Sequence, residues 1–139
     1  MPRIMGIDYG LERTGVSISD PEAKIAFPLK TLSLSECGTR KKLIEKLIEL
    51  ISVNKVETLV FGLPEYSDGT TSPMCAVVRN FAERISRRIN LPVFFESEIL
   101  TSEKAKELLT EAGIKNNRRK KKLDQASACI ILQQFLDKI

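Results

Sequence analysis

Apolar and polar residues alternate in a way that predicts three strands near the start of the chain. The apolar stretch RIMGID predicts a first strand over residues 3–8, and TGVSIS, with an apolar residue at every second position, predicts a half-buried strand over 14–19. KIAFPLKT predicts a third strand over 25–32, and Pro28 inside it favours a sheet edge or a bulge. Three short strands in succession predict an antiparallel meander.

Helical and strand patterns alternate along the rest of the chain. Leucines and isoleucines that recur every three or four residues predict a helix over about 36–53, and the β-branched run VETLVFG predicts a buried strand over 56–62. The next stretch, LPEYSDGTTS, predicts a loop with a turn at Asp68-Gly69. The remaining predicted elements are a helix from Ser72 to about Arg88, a strand over 91–97, a helix over 101–112 that Gly113 stops, and a last helix from about Leu123 to Leu136.

This order of elements predicts the fold. A meander followed by β-α-β units produces a mixed sheet with helices packed on it. We therefore predict an α/β fold of the ribonuclease H-like type, with a mixed five-stranded sheet and helices on both faces. Since there is no internal repeat and no low-complexity linker, we predict a single domain over residues 1–139.

The composition excludes several kinds of site. The chain has no histidine, which rules out a Ser-His-Asp triad and an imidazole general base. The three cysteines are odd in number and far apart, so they predict neither a disulfide framework nor a zinc site. No apolar run approaches the roughly 20 residues of a membrane helix, and no secretory signal is recognisable. We expect a cytoplasmic protein that does not bind a membrane.

Basic residues are concentrated in one stretch, KNNRRKKK, which is predicted to form a loop before the last helix. The formal charge of the chain is +4, and without this stretch it would be negative. A local basic patch favours a polyanionic partner, above all a nucleic acid, over an anionic membrane or a solvated loop without a specific role. The residues concerned are Lys115, Arg118, Arg119, Lys120, Lys121 and Lys122.

Three acidic residues occupy positions where predicted elements begin or end. Asp8 ends the first strand, Glu98 follows the fifth strand, and Asp124 starts the last helix. Each has a simpler interpretation, as a turn residue, an exposed loop acid and a charge near a helix N-terminus, respectively. Asp124 is the most informative, because Ala128 and Ile131 follow it on the same inward stripe, where a charge needs a partner.

A metal site would explain three such acids. Mg²⁺, or Mn²⁺, prefers oxygen ligands, and two ions about 3.5–4 Å apart can stabilise both the attacking and the leaving oxygen of phosphodiester hydrolysis. This chemistry needs no histidine. The acids would hold metal, and the basic stretch would hold the phosphate backbone of a nucleic acid.

Four stretches, in order, resemble the motifs of one family. GIDYGLERTGVSIS resembles its G-x-D-x-G strand, VFGLPEYSDGTTS its G-L-P loop, SEILTSEKA its D-E-R-L-[ST]-T-x-x-A segment, and LDQASACIIL its V-D-x-x-A-A-x-x-I-L helix. Together they resemble the YqgF family of pre-16S ribosomal RNA nucleases, also described as Holliday-junction-resolvase-like. The resemblance implies a ribonuclease H-like fold and Mg²⁺-dependent cleavage that trims a ribosomal RNA precursor. It also places the active-site acids at Asp8, Glu98 and Asp124.

One departure from the family concerns the neighbours of Glu98. Ser97 and Ile99 stand where the family has an aspartate and an arginine, so contacts to substrate are affected more than metal binding. If the strand continues, Glu96 lies on the same face as Glu98 and could replace the lost acid. Arg13, close behind the Asp8 turn, either contacts a phosphate or is an ordinary exposed arginine.

Other functions remain open at this point. A protein that binds nucleic acid without cutting it, as an assembly or transcription factor, would also use the basic stretch. A junction resolvase would cut branched DNA and need a symmetric dimer, whereas an end-trimming nuclease can be a monomer or a weak dimer. The first motif also resembles the phosphate loop of actin-like and sugar kinases, but the chain is too short for their second domain.

Overall fold

One mixed sheet organises residues 3–66, 68–100 and 117–139, the parts of the chain that the computed structural model describes. The strands are β1 Arg3–Tyr9, β2 Arg13–Ser19, β3 Ala26–Ser33, β4 Val56–Tyr66 and β5 Val93–Leu100; the helices are α1 Leu34–Cys37, α2 Arg40–Val53, α3 Pro73–Arg88 and α4 Asn117–Lys138.

The order of strands across the sheet is β3-β2-β1-β4-β5. The first three strands form the predicted antiparallel meander, and β4 and β5 run parallel to β1. At the edge, β3 carries Pro28 beside a shift of register, as its sequence predicts. Because β1, β4 and β5 are parallel, their carboxyl ends lie at the same edge of the sheet.

Helices cover both faces of the sheet, as predicted. Alternate residues of the central strands, such as Ile7 and Phe61, form the larger apolar core with α2 and α3 on one face. On the other face, Val60 packs in a smaller cluster with Ile131 and Leu132 of α4. The two faces of β1 therefore pack against different helices.

Small residues let α4 approach the sheet closely. Ser17 of β2 donates its hydroxyl hydrogen to the main-chain oxygen of Ala128, at 2.8 Å. A Cβ atom added to Gly6 would lie only 2.7 Å from the Cβ of Leu132, closer than real Cβ atoms come. The prediction that β2 is buried on one side is therefore wrong, since its small and polar residues face a packed helix.

Two predicted helices differ in extent from the observed ones. The helix predicted over 36–53 is divided into α1 and α2 at Gly38, whose φ of 96° is left-handed. Thr39 then caps α2 by accepting a hydrogen bond from the main-chain nitrogen of Lys42. The last helix begins at Asn117 and not near Leu123, so most of the basic stretch is helical.

Two strands are longer than predicted. β4 continues to Tyr66 through what was predicted as loop, although the turn at Asp68-Gly69 is present, with Gly69 at a φ of 85°. β5 continues to Leu100. The helix predicted over 101–112 and its stop at Gly113 lie outside the described residues. Within the described ranges, no helix is long and apolar enough to cross a membrane.

Replacing Thr14 with valine is expected to raise the free energy of unfolding by about 1 kcal/mol. Thr14 is fully buried, and its hydroxyl oxygen has no hydrogen-bond partner among the residues that the structure describes. Valine keeps the shape of the side chain and removes the desolvated hydroxyl. Urea unfolding followed by circular dichroism measures the change, and Ser17→Ala, which deletes a bonded hydroxyl, should lower stability instead. A less stable Thr14→Val protein would reveal a polar partner for this hydroxyl.

Candidate active site

Asp8 and Asp124 come together through a glycine on β2. Asp8 is paired with Gly15 in the antiparallel register of β1 and β2, so the two residues share a face of the sheet. A Cβ atom on Gly15 would overlap the main-chain carbonyl of Asp124 and lie 3.1 Å from the Cβ of Asp124. The side chain of Asp8 therefore points to the face where α4 carries Asp124.

Glu98 reaches the same face from β5. It pairs with Pro64 of β4, and its Oε2 atom lies 3.5 Å from the position that a Cβ on Gly62 would take. The parallel register that pairs Ile7 with Phe61 brings Asp8 alongside Gly62. The Cβ position of Gly62 is filled by Ile131 of α4, whose Cγ1 atom lies 3.0 Å from it, so the helix packs directly on the strand between Asp8 and Glu98.

Two of the three acids are placed differently from the sequence prediction. Glu98 lies inside β5 and not after the strand, which fixes the direction of its side chain. Asp124 is the eighth residue of α4, so it does not sit at the positive end of the helix. Each of the three acids is partly buried. They occupy rigid strands and a long helix, which suits a site that must hold its groups in fixed positions.

Asp124 is engaged by Arg13. The Nε atom of Arg13 donates to Oδ2 of Asp124 at 2.8 Å, and their side chains are 30% and 22% exposed. Arg13 begins β2 and faces α4, as Gly15 does two residues later. The sequence suggested a phosphate contact or an exposed arginine for this position, and the structure gives it an intramolecular partner.

The donor atoms at this site suit a hard divalent cation. Carboxylate oxygens are the ligands that Mg²⁺ and Mn²⁺ prefer, and three carboxylates approach one face of the sheet. Within the described residues, however, no three acidic, histidine or cysteine side chains are gathered closely enough to hold an ion. The residues fit such an ion in chemical type, and all three lie on the α4 face of the sheet.

Glu96 has a structural partner. It lies on the same face as Glu98, two positions earlier on β5, and is only 6% exposed. Its carboxylate forms an ion pair with the Nζ atom of Lys138 near the end of α4. The pair connects α4 to the edge strand β5. The sequence had suggested a different role for Glu96, as a replacement for the lost acid of the active site.

A buried tyrosine follows Asp8 on the opposite face. Its ring stacks on Phe81 with the ring centroids 3.9 Å apart, and Arg40 donates a hydrogen bond to its hydroxyl oxygen. Burial raises the pKa of Tyr9, although the neighbouring Arg40 acts in the other direction. Tyr9 thus packs β1 against α3 and helps to fix the strand end that carries Asp8.

The turn between β1 and β2 is held by Glu12. Its carboxylate accepts hydrogen bonds from the hydroxyl and main-chain nitrogen of Ser35 and from the hydroxyl of Ser33. These bonds, those of Ser35 first, lower the pKa of Glu12. The turn immediately before Arg13 is therefore anchored to the end of β3. Sequence patterns gave no signal for this anchor, since the serines are more than 20 residues away.

The basic stretch leads directly into Asp124. Its residues 118–122 belong to the first turns of α4, and not to a loop as predicted, whereas Lys115 lies outside the described residues. Tyr66, which ends β4, is 46% exposed. Asp124 and a concentration of positive charge therefore share one helix.

Comparisons with known proteins bear on this arrangement. The model of the RuvX family, described as Holliday junction resolvase, matches residues 2–138. A protein of Maridesulfovibrio salexigens named "Putative pre-16S rRNA nuclease" is 40% identical over 134 residues, which make up 96% of this chain and 97% of that protein. A protein of Lawsonia intracellularis with the same name is 41% identical over 135 residues, 97% of this chain and 93% of that protein.

A solved structure has the same fold. RuvC of T. thermophilus, in complex with a Holliday junction substrate, matches with a TM-score of 0.56 and 12% sequence identity, over 99% of this chain and 95% of that one. The likeness confirms the predicted ribonuclease H-like fold.

Proposed function

The chain belongs to the RuvX (YqgF) family and is a nuclease, and from that premise we propose that it processes the end of pre-16S ribosomal RNA with divalent ions held by Asp8, Glu98 and Asp124. As a nuclease it is a hydrolase that acts on the phosphodiester bonds of nucleic acid.

The observation that carries this proposal is the meeting of Asp8 and Asp124 across Gly15. The two residues are 116 positions apart in the sequence. Because Gly15 has no side chain, the main chain of Asp124 can lie directly against β2. A Cβ atom at this position would overlap it. Two acids from distant parts of the chain thus share one face of the sheet, as a site that binds a divalent cation requires.

In the proposed mechanism, the three carboxylates bind the ions and position the scissile phosphate. Divalent ions held there would supply Lewis-acid stabilisation of the charge that develops on the attacking and leaving oxygens. The basic residues at the start of α4 would supply positive charge that attracts the phosphate backbone.

The RNA substrate is supported by the relatives. Proteins that are 40% and 41% identical over nearly all of the chain carry a name that specifies pre-16S rRNA. We therefore propose a cytoplasmic role in ribosome assembly, in which Mg²⁺ or Mn²⁺ is the cofactor. The protein would act as a monomer or weak dimer, because trimming one end requires one site.

Cleavage of a four-way DNA junction is the second candidate. The observation in its favour is the description of the matching family as Holliday junction resolvase. Resolution requires two symmetric cuts and hence a dimer with two sites. The same three carboxylates would serve either substrate, so the two candidates differ in what the surface around the site binds.

We expect purified protein to shorten a labelled pre-16S fragment in the presence of Mg²⁺ or Mn²⁺ and to leave it intact in the presence of a chelator. A labelled four-way junction in the same reactions, with a linear duplex of equal length as control, tests the second candidate. Cutting of the junction but not the RNA would replace the first candidate with the second. Salt-sensitive binding to both substrates with cutting of neither would indicate a binding protein that has lost catalysis.

A further inference from the structure

We infer that Arg13 is a built-in cation that holds Asp124 and competes with a divalent ion for its carboxylate. The inference rests on the proposed function, in which Asp124 is a metal ligand. It assigns to Arg13 the control of metal affinity, in place of the phosphate contact suggested by the sequence.

The ion pair is specific in its geometry. Arg13 bonds through Nε, at 2.8 Å from Oδ2 of Asp124, across 111 residues of sequence. The arginine starts β2, and its neighbour Glu12 is fixed by Ser33 and Ser35. The base of the arginine side chain is therefore held by the strand and the anchored turn.

The same pair can be exchanged. Both side chains retain contact with solvent, at 30% and 22% exposure. Partly exposed ion pairs are weak because water screens them. A divalent ion brings twice the charge of a guanidinium and binds carboxylate oxygens directly. Such an ion can therefore displace Arg13, at the cost of the existing bond.

Competition follows from charge as well as from contact. A guanidinium on Oδ2 of Asp124 repels a cation that approaches the same carboxylate. The displaced arginine remains near the site and lowers the affinity further. Removing Arg13 should therefore tighten binding of a divalent ion by about threefold to tenfold, the range expected from a screened pair and one nearby charge.

Calorimetric titration of the full chain with MnCl₂ alone tests this expectation. Arg13→Gln should bind Mn²⁺ more tightly than the wild type by that factor. Arg87→Gln is the matched control, since it removes the same charge from an exposed pair with Glu83 on α3. Its affinity for Mn²⁺ should equal that of the wild type. Circular dichroism of the metal-free proteins checks that both variants are folded.

A second measurement follows the arginine in the unmodified protein. The ¹⁵Nε–Hε signal of Arg13, assigned by its absence from the spectrum of Arg13→Gln or Arg13→Lys, should shift during titration with Mg²⁺ as the bond to Asp124 breaks. This readout needs no activity, and assignment through Arg13→Lys keeps it available if the glutamine variant does not fold.

The outcomes separate the inference from the proposed function. The inference is overturned if Arg13→Gln binds Mn²⁺ with unchanged or weaker affinity, or if the Arg13 signal does not shift at saturating Mg²⁺. The proposed function would still stand in either case, provided that the wild type cleaves its substrate. Equal tightening in Arg87→Gln also overturns the inference, because net charge would then be the cause. No metal binding by the wild type or by Arg13→Gln overturns both.

Discussion

Asp8→Asn is expected to lower the rate of metal-dependent cleavage by at least about 100-fold, since a metal ligand supplies several kcal/mol of transition-state stabilisation and 1.4 kcal/mol is tenfold in rate. Asparagine keeps the shape of the side chain and loses its charge. Asp8 lies on the α4 face of β1, where no other residue of that strand's end offers a carboxylate. Single-turnover cleavage of the RNA fragment, with enzyme in excess, measures the effect on chemistry alone.

The fold of this variant should be unaffected. Asparagine keeps the volume of aspartate and an oxygen that accepts hydrogen bonds, so the unfolding midpoint in chelator should stay close to that of the wild type. Asp20→Asn is a suitable control, because Asp20 is a partly exposed acid after β2 whose pKa is lowered by bonds from the main chain of Ile25 and Lys24. Its cleavage rate should match that of the wild type. Cleavage retained by Asp8→Asn, in a folded protein, would exclude Asp8 from catalysis.

Gly15→Ala is expected to produce the largest loss of stability, about 2–3 kcal/mol, which is typical of forced overpacking. The added methyl group would overlap the main-chain carbonyl of Asp124, which cannot move aside as a flexible side chain can. Gly15 lies within a strand, where alanine is otherwise favourable, so the loss would report the overlap itself. Relief of the overlap requires α4 to shift away from β2, and this shift would carry Asp124 away from Asp8.

Two measurements on Gly15→Ala distinguish its effect on stability from its effect on metal binding. Thermal unfolding should show a midpoint lower by about 6–12 °C. At a temperature where the variant remains folded, calorimetry should show weaker binding of Mn²⁺. Gly69→Ala is the matched control, because a Cβ there meets nothing within 4 Å and only the φ of 85° opposes it. Gly69→Ala should lower the free energy of unfolding by about 1 kcal/mol and leave the affinity for Mn²⁺ unchanged. A Gly15→Ala protein of wild-type stability would contradict the close contact described here.

The sheet could be predicted from the sequence because its signals are local. Alternation of apolar residues in β2, the β-branched run of β4 and the Ser72-Pro73 start of α3 each depend on neighbours along the chain. The order of these elements is enough to place Asp8 and Glu98 near one edge. Two elements extend beyond the residues whose pattern predicted them: the all-polar residues 117–122 belong to α4, and residues 98–100 belong to β5.

The finer geometry of the site could not be predicted, because it depends on contacts between distant parts of the chain. Gly15 and Ser17 have the composition of a solvent-facing strand surface, and only the docked helix shows them to be packing positions. The bond from Arg13 to Asp124 joins residues 111 apart. No local pattern distinguishes an arginine that binds a carboxylate within its own protein from one that binds a phosphate.

The contact of α4 with the meander also has a consequence for the order of folding. Strands β1 to β3 can pair through short turns, whereas the bonds from Ser17 to Ala128 and from Arg13 to Asp124 each span 111 residues. Contacts at such separation pay a large loop-closure entropy and form late. The larger core, between the sheet and α2 and α3, does not depend on α4. A species with the sheet formed and α4 undocked would therefore keep its main core and lack Asp124, so that catalytic competence arrives only with the last step of assembly.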